Sequence, residues 1–211
     1  MIHMNQYDNV TYLAGERILV TRPFVPYDGL LCEFLNDLST KLRSGSESSV
    51  YPDIMAFAFW CRKANIAKLK TNFNNGEARL GLGVVFHITP SNVPVNFAFS
   101  FVFGLLSGNA NIVRVPSKPF PQIGIICAAI DQLFAAEKYK EIKAMTAFVR
   151  YEQNDEITGM FSANCNARMI WGGDVTIRNI RKLVVPECCV DIAFSDRYSL
   201  CVIDAPSVIK L

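Results

Sequence analysis

A chain of 211 residues with 51% hydrophobic and 19% charged residues holds enough apolar material for one sizeable core and too much for a disordered protein. Its formal net charge of +2 comes from interspersed charges, so there is no electrostatic case for nucleic acid or a membrane surface as partner. The longest apolar run, Val93 to Leu106, is shorter than the ~18 residues of a membrane span and reads as a buried helix.

Seven cysteines without CxxC spacing and two distant histidines, His3 and His87, give no ligand cluster, so no metal is expected. An odd number of thiols scattered through apolar segments predicts reduced, cytoplasmic cysteines acting as small hydrophobes. The N-terminus MIHMNQYDNV has neither a basic start nor an apolar core, and no signal peptide is expected.

In chain order, Val10 to Phe24 alternates weakly, and Arg17-Ile18-Leu19-Val20 predicts a strand after a turn. Leu30, Leu31, Phe34, Leu35 and Leu38 recur at three- and four-residue spacing, which predicts a helix over Tyr27 to Leu42. Ser44 to Ser49 is a polar break of loop length. A second helix is predicted from Pro52 to about Leu69, with Arg62, Lys63, Lys68 and Lys70 at its basic end. From Leu80 onward short apolar strands alternate with helices. Strands are expected at Gly83–Ile88, Asn111–Val115, Thr146–Tyr151, Ala167–Trp171, Asp191–Phe194 and Ser199–Ile203. Helices are expected at Val95–Leu106, Gln122–Glu137, Glu156–Ala163 and Val175–Leu183, with a further helix start at Ala205 to Lys210. This alternation predicts a parallel sheet with right-handed crossovers. It divides the chain into a mostly helical N-terminal segment, 1–79, and an α/β domain, 80–211.

Three turns in that domain can carry chemistry. Thr89-Pro90-Ser91-Asn92 lies between a strand and an apolar helix. As plain structure, Asn or Ser caps the helix and Pro fixes the entry. As chemistry, polar groups at the carboxyl end of a parallel strand stand where nucleotides bind. Arg114-Val115-Pro116-Ser117-Lys118 is a basic strand exit, either solvated or facing an anion. In Trp171-Gly172-Gly173-Asp174 two glycines permit close backbone approach at a helix start, where Asp174 is equally suited to capping. Cys188-Cys189 lacks a neighbouring histidine or lysine to lower a thiol pKa, and His87, between Phe86 and Ile88, reads as packed and hydrogen-bonded.

The wording of these turns resembles the aldehyde dehydrogenase superfamily: Ile88-Thr89-Pro90-Ser91-Asn92-Val93-Pro94, then Gly108-Asn109 and Pro116-Ser117-Lys118. The run Asn-Ile-Val-Arg-Val-Pro-Ser-Lys is most similar to its fatty acyl-CoA reductase branch, the reductase of bacterial luminescence. The resemblance implies an α/β, mostly parallel Rossmann-type sheet with flanking helices after a helical N-terminal segment, the catalytic domain and its nucleophilic cysteine being absent from this length of chain. It implies NADP(H)-dependent reduction of an acyl-CoA or acyl-thioester to a fatty aldehyde, with a catalytic-domain partner or homo-oligomer supplying the rest. Asn92 would be the oxyanion donor, Thr89, Pro90 and Ser91 would border the nicotinamide, and Arg114, Ser117 and Lys118 would meet the adenosine ribose. Lys118 stands where relatives carry glutamate, which implies NADPH over NADH. Gly172 and Gly173 would approach the pyrophosphate, and Asp191 matches the family's proton-relaying glutamate loosely. A binding module without catalysis is the alternative expectation.

Overall fold

The structure, a computed structural model, describes residues 2, 3, 9–73, 76–196 and 201–203. In chain order its elements are β1 (Ile2–His3), β2 (Thr11–Gly15), β3 (Ile18–Leu19), α1 (Gly29–Ser44), α2 (Pro52–Trp60), α3 (Lys63–Phe73), β4 (Val84–Ile88), α4 (Asn96–Leu106), β5 (Ala110–Arg114), α5 (Pro121–Phe134), α6 (Lys140–Ala144), β6 (Thr146–Arg150), α7 (Asp155–Ala163), β7 (Ala167–Gly172), α8 (Asp174–Arg181) and β8 (Val190–Ser195). Single 3₁₀ turns occupy Ser48–Val50 and Glu137–Tyr139.

Every residue of Val84–Ile88 is buried. A strand apolar on both faces needs helices on both sides, which makes it the centre of a parallel sheet. The observed order is β2-β6-β5-β4-β7-β8. All neighbours from β6 to β8 run parallel, and β2 adds an antiparallel edge beside β6. Starting from β4 the chain fills the sheet first through β5 and β6, then returns to the other flank of β4 for β7 and β8. That reversal is the topological switch point of a doubly wound fold.

Two cores follow from the alternation of side chains. Phe97, Phe101 and Leu105 of α4 pack with Leu31, Phe34 and Leu38 of α1, Phe57 of α2 and Ile126 of α5 on one face. Val84, Phe86 and Ile88 point the other way, onto Ile157 and Phe161 of α7 and Ile177 of α8. From the N-terminal part of the chain β2 completes the main sheet, and α1 and α2 share the core of α4 and α5.

Local chemistry sets the boundaries. Asp28 caps α1 by accepting from Leu30 N at 2.8 Å, and Asn154 caps α7 through Ile157 N at 3.0 Å. Gly108, at φ +80°, stops α4: its N–H reaches Leu105 O at 2.8 Å and the Asn109 N–H reaches Gly104 O at 3.2 Å, a left-handed C-terminal closure that glycine adopts without strain. The helix expected from Pro52 to Leu69 is two helices. Asn36 of α1 accepts from Lys63 N at 3.1 Å and Asn65 Nδ2 donates to Trp60 O at 2.7 Å, so side chains satisfy backbone groups at the break that a continuous helix would have paired. The helix expected to reach Glu137 ends at Phe134. Of the strand expected at Ser199–Ile203, Ser199 and Leu200 lie outside the described residues and Cys201 to Ile203 are in no strand; the helix start at Ala205 to Lys210 also lies outside them. Among the described residues no helix is long and apolar enough to cross a membrane.

Candidate functional site

Parallel strands deliver all their exits to one edge, so the three turns singled out by residue type meet. β4 is hydrogen-bonded to β5 on one side and β7 on the other. The exits carrying Asn92, Lys118 and Gly172 are therefore neighbours along the carboxyl edge, with the switch point between β4 and β7. Thr89 Oγ1 donates to Arg114 O at 2.6 Å and ties the first two exits together.

The turn after β4 is not a helix cap. α4 begins at Asn96, its N-cap position is Val95, and no side chain caps it. Ser91 and Asn92 stand four or five residues earlier, exposed to solvent, with Pro90 half-buried behind them. Ser117 is half-buried and Lys118 exposed. Arg114 is partly withdrawn: its guanidinium lies 4.5 Å from the centre of the Tyr151 ring and Nη2 donates to Tyr151 O at 3.4 Å. Burial pushes the Tyr151 phenol up to about 12, so it stays neutral there. At the third exit Gly173, not Asp174, occupies the cap position of α8, and Asp174 is a first-turn acid. A Cβ on Gly173 would come 3.2 Å from an Asp196 carboxylate oxygen.

Beside the Asn92 turn an apolar pocket of about 440 Å³ opens between α4, α2 and the end of β7. Val93, Pro94, Phe99 and Phe103 line it, with Trp171 as one wall and Asp53 at its rim. The Trp171 indole is held on both sides. It stacks on Phe194 at 4.0 Å between ring centres, and its Nε1–H donates to Ser100 Oγ at 3.0 Å. Behind Ser100 lies a buried relay. Asn111 Nδ2 donates to Asn109 O at 2.7 Å, which leaves Asn111 Oδ1 to accept from His87 Nε2 at 2.9 Å. His87 Nδ1 is then the acceptor for the Ser100 hydroxyl at 2.8 Å. Complete burial holds the His87 imidazole down to about 4, neutral as the relay requires. Gly104 makes the approach possible: a Cβ there would meet Asn111 Oδ1 at 2.0 Å and His87 Nε2 at 2.8 Å. The sequence marks His87 as a packed histidine but not its partners Ser100 and Asn111, nor Trp171, which donates to Ser100. The signal was present, since Ser100 and Asn111 are polar residues inside apolar runs and such groups require partners when buried.

Asp191 is not brought to this edge. It lies near the start of β8, opposite Arg168, roughly 13 Å short of the carboxyl end. Its two oxygens accept from Arg168 Nε at 2.7 Å and Nη2 at 2.8 Å, and Arg168 Nη1 donates to Ile180 O at 3.0 Å. A carboxylate engaged by a buried guanidinium braces strands, which departs from the catalytic expectation. Cys188 and Cys189 precede β8 and sit at the same far edge. Cys61, Cys127 and Cys165 are buried, and burial raises all three thiols.

The sheet order and the three converging exits define an aldehyde dehydrogenase-like α/β fold. Proline Utilization A of Bradyrhizobium japonicum, in a mutant crystal structure, superimposes with a TM-score of 0.59 at 17% identity over 79% of this chain and 20% of that one. A bifunctional proline utilization A protein gives 0.61 at 17% identity, again over 79% and 20%. Lactaldehyde dehydrogenase from Escherichia coli gives 0.59 at 16% identity over 78% of this chain and 39% of that one. The chain thus spans about a fifth to two-fifths of the length of these structures. The family model for acyl-CoA reductase (LuxC) matches residues 63–210, and the chain belongs to that family. The comparison with curated proteins gives no match.

Proposed function

We propose that this chain carries the dinucleotide-binding part of an NADP(H)-dependent acyl-CoA reductase, which converts an acyl-CoA to a fatty aldehyde. The observation that carries the reading is that Asn92, Ser117 and Lys118 stand on the neighbouring exits of β4 and β5, beside the switch point between β4 and β7. The residues present fit such a group: exposed polar side chains after β4 and β5, an uncapped α4 N-terminus whose free N–H groups favour an anion, and a lysine where a 2′-phosphate would add negative charge. Thr89, Pro90 and Ser91 would border the nicotinamide, Arg114, Ser117 and Lys118 would hold the ribose end, and Gly172 and Gly173 would let the backbone approach the pyrophosphate. Asp174 and Asp196 make this last turn the least favourable of the three toward phosphate, so the exits after β4 and β5 carry most of the binding. When bound, the dinucleotide supplies a hydride.

The chain's own part in the reaction is electrostatic and steric. Attack of a thiolate on an acyl carbonyl puts negative charge on oxygen, and the Asn92 amide, which is not the cap of α4, is free to donate to it. One such preorganised donor contributes roughly 10²–10³ in rate. In this reading the nucleophilic cysteine comes from the part of the family fold that this chain does not span. Titrating the purified chain with NADPH and NADH tests the binding reading. Tighter NADPH binding is expected, and Lys118→Glu should shift the NADPH-to-NADH ratio toward NADH by roughly tenfold. An unchanged ratio removes the Lys118 assignment, and no binding of either dinucleotide removes the reading.

A second reading, a nucleotide-binding module that works with a separate catalytic half or as a homo-oligomer, is favoured by the exposed Val190, Ile192 and Phe194 along one face of β8, together with exposed Val93 and Phe103. A patch of this kind marks a covered surface. NADPH binding without aldehyde formation by the chain alone, and aldehyde formation on adding a cysteine-bearing half, would select it.

A further inference from the structure

Opposite the candidate site, where β7 and β8 begin, two thiols touch. Cys165 Sγ lies 3.8 Å from Cys189 Sγ, although the residues are 24 apart in sequence. The backbone fixes this proximity: Asn166 O accepts from Val190 N at 3.1 Å, and Ala167 and Val190 are register partners of a parallel pair. Continuing that register sets Cys189 beside Asn166 and Cys165 one residue further along, roughly 4.8 Å across and 3.3 Å along the strands, or about 6 Å between Cα atoms, inside the window of about 4.4–6.8 Å that a disulfide accepts. Two thiols sealed together in a core are ordinarily inert small hydrophobes. This pair is not sealed. Cys165 is buried, Cys189 is half-buried, and Cys188 next to it is exposed.

We propose that Cys165 and Cys189 form a disulfide when the protein meets a hydroperoxide, making the amino edge of β7 and β8 a reversible oxidation site. The accessible Cys189 thiolate attacks one peroxide oxygen; the S–O bond forms, the O–O bond breaks, and the departing hydroxide takes a proton to leave as water. Cys189 is then a sulfenic acid, two electrons oxidised. The Cys165 sulfur attacks that sulfur, the S–S bond forms, and the S–O oxygen departs as water with the Cys165 proton. The sum is two thiols and one hydrogen peroxide giving one disulfide and two waters. Burial raises the Cys165 thiol, which suits it to the second step rather than the first.

The ring so closed encloses β7, the Gly172-Gly173 turn and α8, and it straps down β8, which pairs only with β7 among the described residues. The oxidised chain is therefore expected to melt a few degrees higher than the reduced one, because the cross-link narrows the unfolded ensemble. The test treats the folded chain with hydrogen peroxide, digests it without reductant and identifies linked peptides by mass. A Cys165–Cys189 peptide pair two hydrogens lighter, reversed by dithiothreitol and at least roughly tenfold more abundant than any other intramolecular pair, is the expected result. In urea, where proximity is lost, that excess should disappear. Cys188→Ser should keep the link and Cys189→Ser should abolish it. No link in the folded wild-type chain, a dominant link through Cys188 or Cys201, or an equal excess in urea would overturn the proposal. The wild-type measurement stands even where a variant fails to fold.

Discussion

The two edges of the central sheet use polar residues in opposite ways. At the amino edge Arg168, Asn166 and Asn109 are spent on the protein itself. Arg168 brackets β7, β8 and the end of α8, Asn166 Oδ1 accepts from Val84 N at 2.8 Å, and Asn109 Oδ1 accepts from Gly83 N at 3.3 Å. At the carboxyl edge Ser91, Asn92 and Lys118 face solvent, and the α4 N-terminus is left without a side-chain cap. Groups that brace strands are unavailable to a ligand, and groups available to a ligand contribute little bracing. The difference separates residues that brace the fold from those open to a ligand without any appeal to their type.

Substitutions can break that contrast, beginning with the largest effect. Arg168→Ala leaves Asp191 without its buried partner, and removing one member of such a pair costs about 3–5 kcal/mol; denaturant unfolding should show a midpoint shift of that size. Next comes the buried relay. His87 is depressed to about 4 from 6.5, so between those values the folded chain holds fewer protons than the unfolded one. Its contribution is complete above about pH 6.5 and falls away as pH drops toward 4, by about 3 kcal/mol in all. His87→Gln should flatten that slope relative to wild type, which unfolding midpoints at several pH values would reveal. Ser100→Ala strands the Trp171 indole N–H and His87 Nδ1 together, at about 1–3 kcal/mol, and in a Trp60→Phe background the remaining tryptophan emission should change as the indole loosens. Smallest of all, Asn92→Ala should leave unfolding within ~0.5 kcal/mol of wild type while slowing acylation in a complete enzyme. A large stability loss there would erase the distinction between the edges.

Much of this arrangement was legible beforehand, and what was not has physical causes. Alternating apolar runs gave the strands and helices after Leu80, because a buried parallel strand leaves a short, continuous apolar signal. The break between α2 and α3 was invisible because Asn36, far away in sequence, supplies the partner for Lys63. The start of α4 lies one residue beyond the expected Val95, and with either start Asn92 falls short of the cap position, outside the helix. Arg168 sat unnoticed inside an apolar strand, since only the fold brings Asp191 opposite it. Asp191 is linked to catalysis by resemblance alone, and strand register sets it opposite Arg168.

Gly104 has a reach beyond its own position. With hydrogen alone facing the sheet, α4 settles deep enough for Ser100 to engage His87, and the same helix carries the Asn92 turn at its head and Phe99 and Phe103 along the pocket. A single methyl there would wedge the helix outward as a rigid lever. Pocket depth and amide position are thus one mechanical variable, set by an atom that is missing.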